Sequence, residues 1–479
     1  MKLDAVVVGA GPNGLAAAVA LARAGRSVTV LEGADTIGGG TRTAELTVPG
    51  LRHDVCSAVH PFAVASPFLA SLPLARHGLV WRHAEVELAH PLDDGSAGVM
   101  VRSLAETCAG LGRDGEAWRG LFGPLTRGFD QLADDVLGPV LRWPAHPVRM
   151  ARFGLRAGLS ATLLAGRFET PQARALFAGS AAHVFRPLNR PATASVGVML
   201  TAAGHVHGWP VPEGGSAAIT DALASLLAEL GGTVVTGHRV RARSDLPAAR
   251  VTLFDTGPEA VLEVYGDTLP ARARRGFRRF RHGPAAYKVD LAVRGGVPWT
   301  NEAARRAGTV HVGGTLEEIA TAEAAICAGE MPERPFVLVA QQSLADPSRV
   351  LRQPGGDIHP VWAYAHVPAG WAGPGEQVVL DQLERFAPGL RERVVATAVR
   401  SPADFAADNP NYVGGDIVGG ANDLRQLVAR PRLAADPYAT GIPGVYLCSA
   451  ATPPGAGVHG MCGYRAAQRA LRRLAGGAG

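Results

Sequence analysis

The tightest constraint on this chain sits at its N-terminus. Asp4-Ala5-Val6-Val7-Val8-Gly9 is a short, mostly β-branched run of the kind that forms a strand buried on both faces. Gly9, Gly11 and Gly14 follow at G-x-G-x-x-G spacing, with Pro12 and Asn13 between the last two. An alanine-rich helix then runs from Leu15 to Ala24 and stops at Gly25. A second strand, Ser27 to Leu31, ends at Glu32. In such a unit the helix N-terminus offers unpaired N–H groups, and the glycine turn lets a pyrophosphate approach the backbone. Glu32 lies 23 residues after Gly9, where an acid that binds a ribose 2′-OH belongs. The glycines alone would be a weak signal. With strand, helix, second strand and acid in register they define a dinucleotide site made by Gly9, Gly11, Pro12, Asn13, Gly14 and Glu32.

A chain of 479 residues has room for three domains, or for two with interleaved segments, and 47% hydrophobic content supplies a large core. The net charge of +5 is mild and dispersed. Its densest basic patch, Arg272 to Arg281, contains one aromatic pair, Phe277 and Phe280. The patch reads as a solvated face, with contact to a membrane surface or an acidic substrate as the unsupported alternative. A nucleic-acid partner has no support. Five scattered cysteines without a CxxC pair argue for a reducing compartment, and no metal-ligand spacing appears. With no apolar leader and no apolar run of membrane-spanning length, the expectation is a cytoplasmic protein.

Behind Glu32 comes Gly38-Gly39-Gly40-Thr41-Arg42, a loop whose backbone can wrap a phosphate or a flat ring. Here the chain resembles the glutathione-reductase-like flavoproteins, whose fingerprint is followed by a double-glycine motif. Gly40 stands where that motif carries an arginine, and Arg42 is the candidate substitute. The next segment, Pro49 to Pro61, resembles the phytoene-desaturase-related branch of flavin amine-oxidase-like proteins, in the style of the pyridine-nucleotide-disulphide-oxidoreductase-domain group. The resemblance extends from Asp4 to Leu474. It implies an α/β fold, a glutathione-reductase-like FAD-binding Rossmann domain interleaved with an α+β substrate domain. It also implies FAD as cofactor.

The expected FAD-binding domain is discontinuous, 1–75, 205–284 and 425–479, with 76–204 and 285–424 forming the substrate domain. Asp93-Asp94-Gly95 marks a hairpin turn. Residues 103–203 read as helical, broken at 123–124, 138–139 and 144–147. A helix from Ser216 to Leu230 and the strand Thr233 to Val235 return the chain to the cofactor domain, where Val240 joins the cofactor set. Strands are expected at Tyr287 to Arg294, Phe336 to Gln342, Val361 to Val367 and Gly444 to Cys448, and a helix from Met461.

The glycine pattern occurs twice more. Gly110, Gly112 and Gly115 follow a helical run and mark a helix-to-helix loop. Gly455, Gly457 and Gly460 lie between a strand and a helix, but the chain ends before a second strand and acid can follow. They resemble the family's C-terminal flavin motif, with Val458 and Met461, and imply a helix N-terminus facing the flavin edge. With one nucleotide fold, the expected electron acceptor is dioxygen or a quinone-like carrier rather than NAD(P)+.

Catalytic candidates are fewer. Lys288, one of two lysines in the chain, lies in an apolar strand. By resemblance it would hold a water near flavin N5; otherwise it pairs with Asp290 or another acid. His459 contacts flavin or substrate, or serves a local hydrogen bond. His60 is an active-site group or a packing residue, and Tyr412, in a glycine-rich loop, lines the substrate cavity. Trp362, Tyr364 and His366 share one strand face, as cavity wall or core. His205 and His207 lack a third ligand, and Cys448 and Cys462 read as buried apolar residues. The function expected is hydride removal from a C–H bond of a small, apolar or secondary-metabolite-like substrate. The alternatives are a flavin-dependent isomerase and a flavin-holding binding protein. Oligomeric state is open.

Overall fold

The computed structural model describes residues 3–139 and 142–476. The apolar run is strand β1 (Leu3–Val8), buried from Ala5 onward. It occupies the middle of a five-stranded sheet with β2 (Val28–Leu31), β3 (Thr233–Val235), β4 (Ala249–Phe254) and β5 (Val445–Leu447). The order is β5-β4-β1-β2-β3 and every pair is parallel. Parallel strands need long crossovers. Only the β1–β2 crossover is a single local helix, α1 (Pro12–Arg23). The β2-to-β3 and β4-to-β5 connections carry the second layer, whereas β3 reaches β4 through a short segment with one 3-10 turn, Arg243–Asp245.

Helices α2 (Ala217–Glu229) and α3 (Met461–Gly476) both pack on α1. The α1–α3 contact is backbone to backbone. A Cβ on Gly463 would lie 1.8 Å from the Asn13 carbonyl oxygen, so no other residue fits there. The first and last segments of the chain are thereby locked together.

A seven-stranded sheet forms the second layer. From one edge it runs Val394–Arg400, Ala285–Arg294, Ile358–Val367, Val337–Ala340, Ala307–Val312, Val86–Pro91 and Ala97–Met100. All its pairs are antiparallel except Ala307–Val312 with Val86–Pro91. Helix Pro171–Ala182 covers part of one face and packs on helix Ala194–His207. This is a Rossmann-like parallel sheet interleaved with an α+β layer, the expected fold class.

Two local expectations are corrected. Gly123-Pro124 does not interrupt a helix but falls in the last turn of Gly115–Thr126, where the one i→i−4 bond the proline forfeits leaves few residues of helix beyond it. Strand Ala307–Val312, helix Leu316–Ala328 and edge strand Val394–Arg400 were not anticipated. In the basic patch, Phe277 and Phe280 are buried and only the arginines face water. Among the described residues no helix is long and apolar enough to cross a membrane.

Candidate active site

A cleft of about 990 Å³ opens at the C-terminal ends of β1, β2, β4 and β5 and runs to the second sheet. That is where ligands bind open parallel sheets, and the size lies at the upper end of ordinary ligand sites.

Its nucleotide end is built by close approach. Gly9 has φ +101°, and a Cβ there would sit 2.8 Å from the Asp255 carbonyl oxygen. A Cβ on Gly14 would lie 2.0 Å from the Gly9 carbonyl oxygen. Glu32 accepts the Ala10 N–H at 2.7 Å through one oxygen and the Ala34 N–H at 2.9 Å through the other. Its carboxylate is thus fixed at the cleft wall with lone pairs to spare for ribose hydroxyls. Gly11, Pro12, Asn13, Gly39, Gly40, Arg42 and Val240 also face the cleft. Gly14, Gly38 and Thr41 stand behind. Gly38 donates its N–H to Ala10 O at 2.9 Å, and the Thr41 hydroxyl donates to Gly38 O at 2.8 Å.

The unusual Gly40 has a structural counterpart. A Cβ there would lie 2.4 Å from the Tyr412 hydroxyl, so the tyrosine occupies the space that a larger residue 40 would need. Arg42 is anchored nearby: it donates to Thr36 O at 2.9 Å and lies 3.7 Å from Glu32.

At the other end of the chain, Gly457 and Val458 line the cleft, whereas Gly455, Gly460 and Met461 support the loop from behind. His459 does not face the cleft. Its Nδ1 accepts the Met461 N–H at 3.0 Å, capping the start of α3, and burial pushes it down to about 4.

The sequence-predicted catalytic residues separate here. Tyr412 and His60 line the cleft. His60 Nε2 lies 2.8 Å from Ser216 Oγ, and Ser216 donates its proton to Ser57 O at 2.7 Å. His60 therefore carries its proton on Nε2. Burial keeps it neutral, down to about 4 against the pull of Asp54. Lys288 does not reach the cleft. It is 1% exposed and pairs with Asp290, which also lies 3.4 Å from His53 Nδ1. Burial lowers its pKa and the Asp290 charge opposes that. The Trp362 ring lies 5.9 Å from its Nζ and itself faces the cleft. Of the two readings of Lys288 the structure shows the ion pair, which the two-residue spacing on one strand makes natural. Trp362 and Tyr364 are cavity wall, whereas His366 is bonded to buried Glu323 at 2.6 Å.

Three groups escaped sequence reasoning. Asp255, just past β4, accepts the Gly14 N–H at 2.7 Å at the start of α1. Burial, and then the Glu32 charge, push it up to about 7 against that hydrogen bond. His183 lines the cavity with its Nε2 3.2 Å from His311 Nε2, and burial lowers it to about 3. Phe185, beside it, has φ +53° and stacks on His366 with centroids 3.8 Å apart. A bulky side chain in that backbone region is a strained feature. None of these carries a local motif. Among the described residues no cluster of three potential metal ligands exists.

Residues 7–70 match the model of an NAD(P)-binding Rossmann-like domain. The chain is 25% identical to pyridine nucleotide-disulfide oxidoreductase domain-containing protein 2 of Mus musculus, over 99% of this chain and 94% of that protein. It is 27% identical to the phytoene dehydrogenase of Streptomyces griseus, over 95% and 92%. A cofactor-binding variant of putrescine oxidase shares the fold, with TM-score 0.63, 19% identity and 99% of each chain covered. The chain is thus similar in sequence to phytoene-dehydrogenase-related proteins and shares its fold with solved amine oxidases. The cleft has the parts a dinucleotide needs, one acid for a ribose and one glycine cradle for a pyrophosphate, and a further loop pair, Gly38–Arg42 and Gly455–Met461, stands beyond them.

Proposed function

We propose that this protein is an FAD-dependent dehydrogenase or oxidase acting on a small, largely apolar molecule. The observation that carries this is the continuity of the cleft from Glu32 and the glycine turns to an inner end walled by Met199, Leu200, Phe185, Leu338, Trp362 and Tyr364. A bound FAD supplies the two-electron acceptor, so that hydride leaves a substrate C–H bond, a neighbouring proton is lost, and a C=C or C=N bond forms.

The chain's own residues supply the rest. The apolar wall excludes water and orients the substrate by shape. His60 and His183 stand at the wall as imidazoles that burial keeps neutral, so they offer hydrogen bonds to a substrate and add no charge to the cavity. Tyr412 closes the cleft between Gly40 and the Cys56 thiol. The single nucleotide fold favours dioxygen or a quinone-like carrier, named by class, as the final oxidant. A cytoplasmic location and the absence of nucleic-acid partners belong to this same reading.

Anaerobic mixing with candidate substrates should bleach the flavin, and air should restore it. Rapid restoration by NADP+ but not by air would overturn the acceptor assignment. Turnover without any acceptor consumed would mark an isomerase instead, and a flavin unchanged by every candidate would mark a binding protein.

A further inference from the structure

One charged side chain in the cleft wall has no use in the account so far. Arg430 is 4% exposed and faces the cleft. Its guanidinium is held between two glycines. A Cβ on Gly420 would lie 2.7 Å from one terminal nitrogen, and a Cβ on Gly455 would lie 2.5 Å from the other. Both glycines have positive φ, +128° and +107°. The backbone has made room for the group from two sides. One nitrogen donates to Gly420 O at 2.5 Å, and Nε has no partner among the described residues.

Among the described residues no carboxylate lies at ion-pair distance from it, although the charges of Asp416 and Asp423 act on it from farther off. Asp416 accepts the N–H groups of Gly283, Val418, Gly419 and Gly420 and lies 3.4 Å from the His282 ring. His282 is held protonated by Asp416 and Glu259, which outweigh its burial. Asp423 pairs with Arg281. An arginine cannot shed its proton to escape burial, as a lysine can. A buried guanidinium with no carboxylate at bonding distance is costly unless a further partner completes its hydrogen bonds.

We propose that Arg430 is an oxyanion-binding residue of the cleft, completed by a phosphate of FAD or by a carboxylate of the substrate. Planar guanidinium groups bind either oxyanion in the same two-pronged geometry. This rests on the reading of the cleft as an FAD site, and it extends that reading to a residue that no glycine motif contains.

The test uses the full chain freed of cofactor, as wild type, Arg430→Met and Arg430→Lys. Each is titrated with FAD and with riboflavin, by quenching of flavin fluorescence, and its thermal melting is followed without ligand. Binding of FAD by the wild type checks the underlying reading separately; if it fails, the cleft assignment fails before Arg430 is at issue. If the phosphate is the partner, Arg430→Met should weaken FAD binding by on the order of ten- to a hundred-fold. Riboflavin affinity should stay unchanged and Arg430→Lys should restore part of the loss. If a substrate carboxylate is the partner, FAD affinity holds. Laurate should then perturb the flavin spectrum of the FAD-loaded wild type but not of Arg430→Met, and lauryl alcohol should affect both alike. In either case the ligand-free Arg430→Met protein should melt no lower than wild type, because a buried unpaired charge has been removed. A clearly lower melting point would overturn the proposal, as would unchanged response to both FAD and laurate.

Discussion

Replacing Asp255 by Asn should stabilise the cofactor-free protein by an amount that grows from about pH 4 and is complete above about pH 7. The carboxyl group titrates at 3.8 when exposed and is pushed up to about 7 in the folded chain. Between those values the folded state holds a proton that the unfolded state has lost, so stability falls as pH rises from about 4 to about 7 and is level above. At ~1.4 kcal/mol per pH unit the full difference is roughly 4 kcal/mol. The carboxylate also faces the open cleft, where water screens it, so about 2 kcal/mol is the realistic gain. Asparagine keeps an oxygen to accept the Gly14 N–H, now at 2.7 Å. Urea unfolding of both proteins at about pH 4 and about pH 8 reads the difference directly. Near-equal midpoints at low pH and a higher midpoint for the variant at high pH are expected. A variant less stable at high pH, or a difference independent of pH, would refute the reasoning.

Three other substitutions probe separate parts of the account. Lys288→Met strands Asp290 in the core and should cost about 3–5 kcal/mol of stability. The double variant with Asp290→Leu should recover most of it, and substrate reduction of the flavin should survive in both; loss of flavin reduction with stability intact would return Lys288 to the chemistry. Gly463→Ala places a Cβ 1.8 Å from the Asn13 carbonyl oxygen. It should cost about 3 kcal/mol or more and loosen FAD retention, measured by dialysis against denaturant-free buffer. Gly40→Ala meets the Tyr412 hydroxyl at 2.4 Å. Adding Tyr412→Phe should relieve it, with a coupling of about 0.5–3 kcal/mol in a double-mutant cycle of FAD binding.

What could be read from the chain follows from distance along it. The β1–α1–β2 unit and Glu32 were legible because every partner lies within about one crossover, the range over which local patterns act. Lys288 and Asp290 sit two apart on one strand, so their pairing was open to view beside the flavin role. Helix Leu316–Ala328 announces itself with a capping box, Thr315 to Glu318, that was overlooked rather than hidden. Strand Val394–Arg400 was harder: it is an edge strand whose residues alternate only between half-buried and exposed. Asp255 was out of reach for a different reason. It bonds Gly14 across 241 residues of sequence. Arg430 likewise belongs to no glycine motif and enters the cleft wall only through the fold. Such contacts are made by the interleaving of the two sheets, and no local pattern encodes which distant segment arrives.

The most direct test of the central claim is the identity of the nucleotide carried by the purified protein. Cofactor released by denaturation and identified by mass should be FAD, one per chain, and should be lost in Gly14→Val, whose side chain would collide with the Gly9 carbonyl. Recovery of NAD(P), or full FAD retention in that variant, would contradict the account.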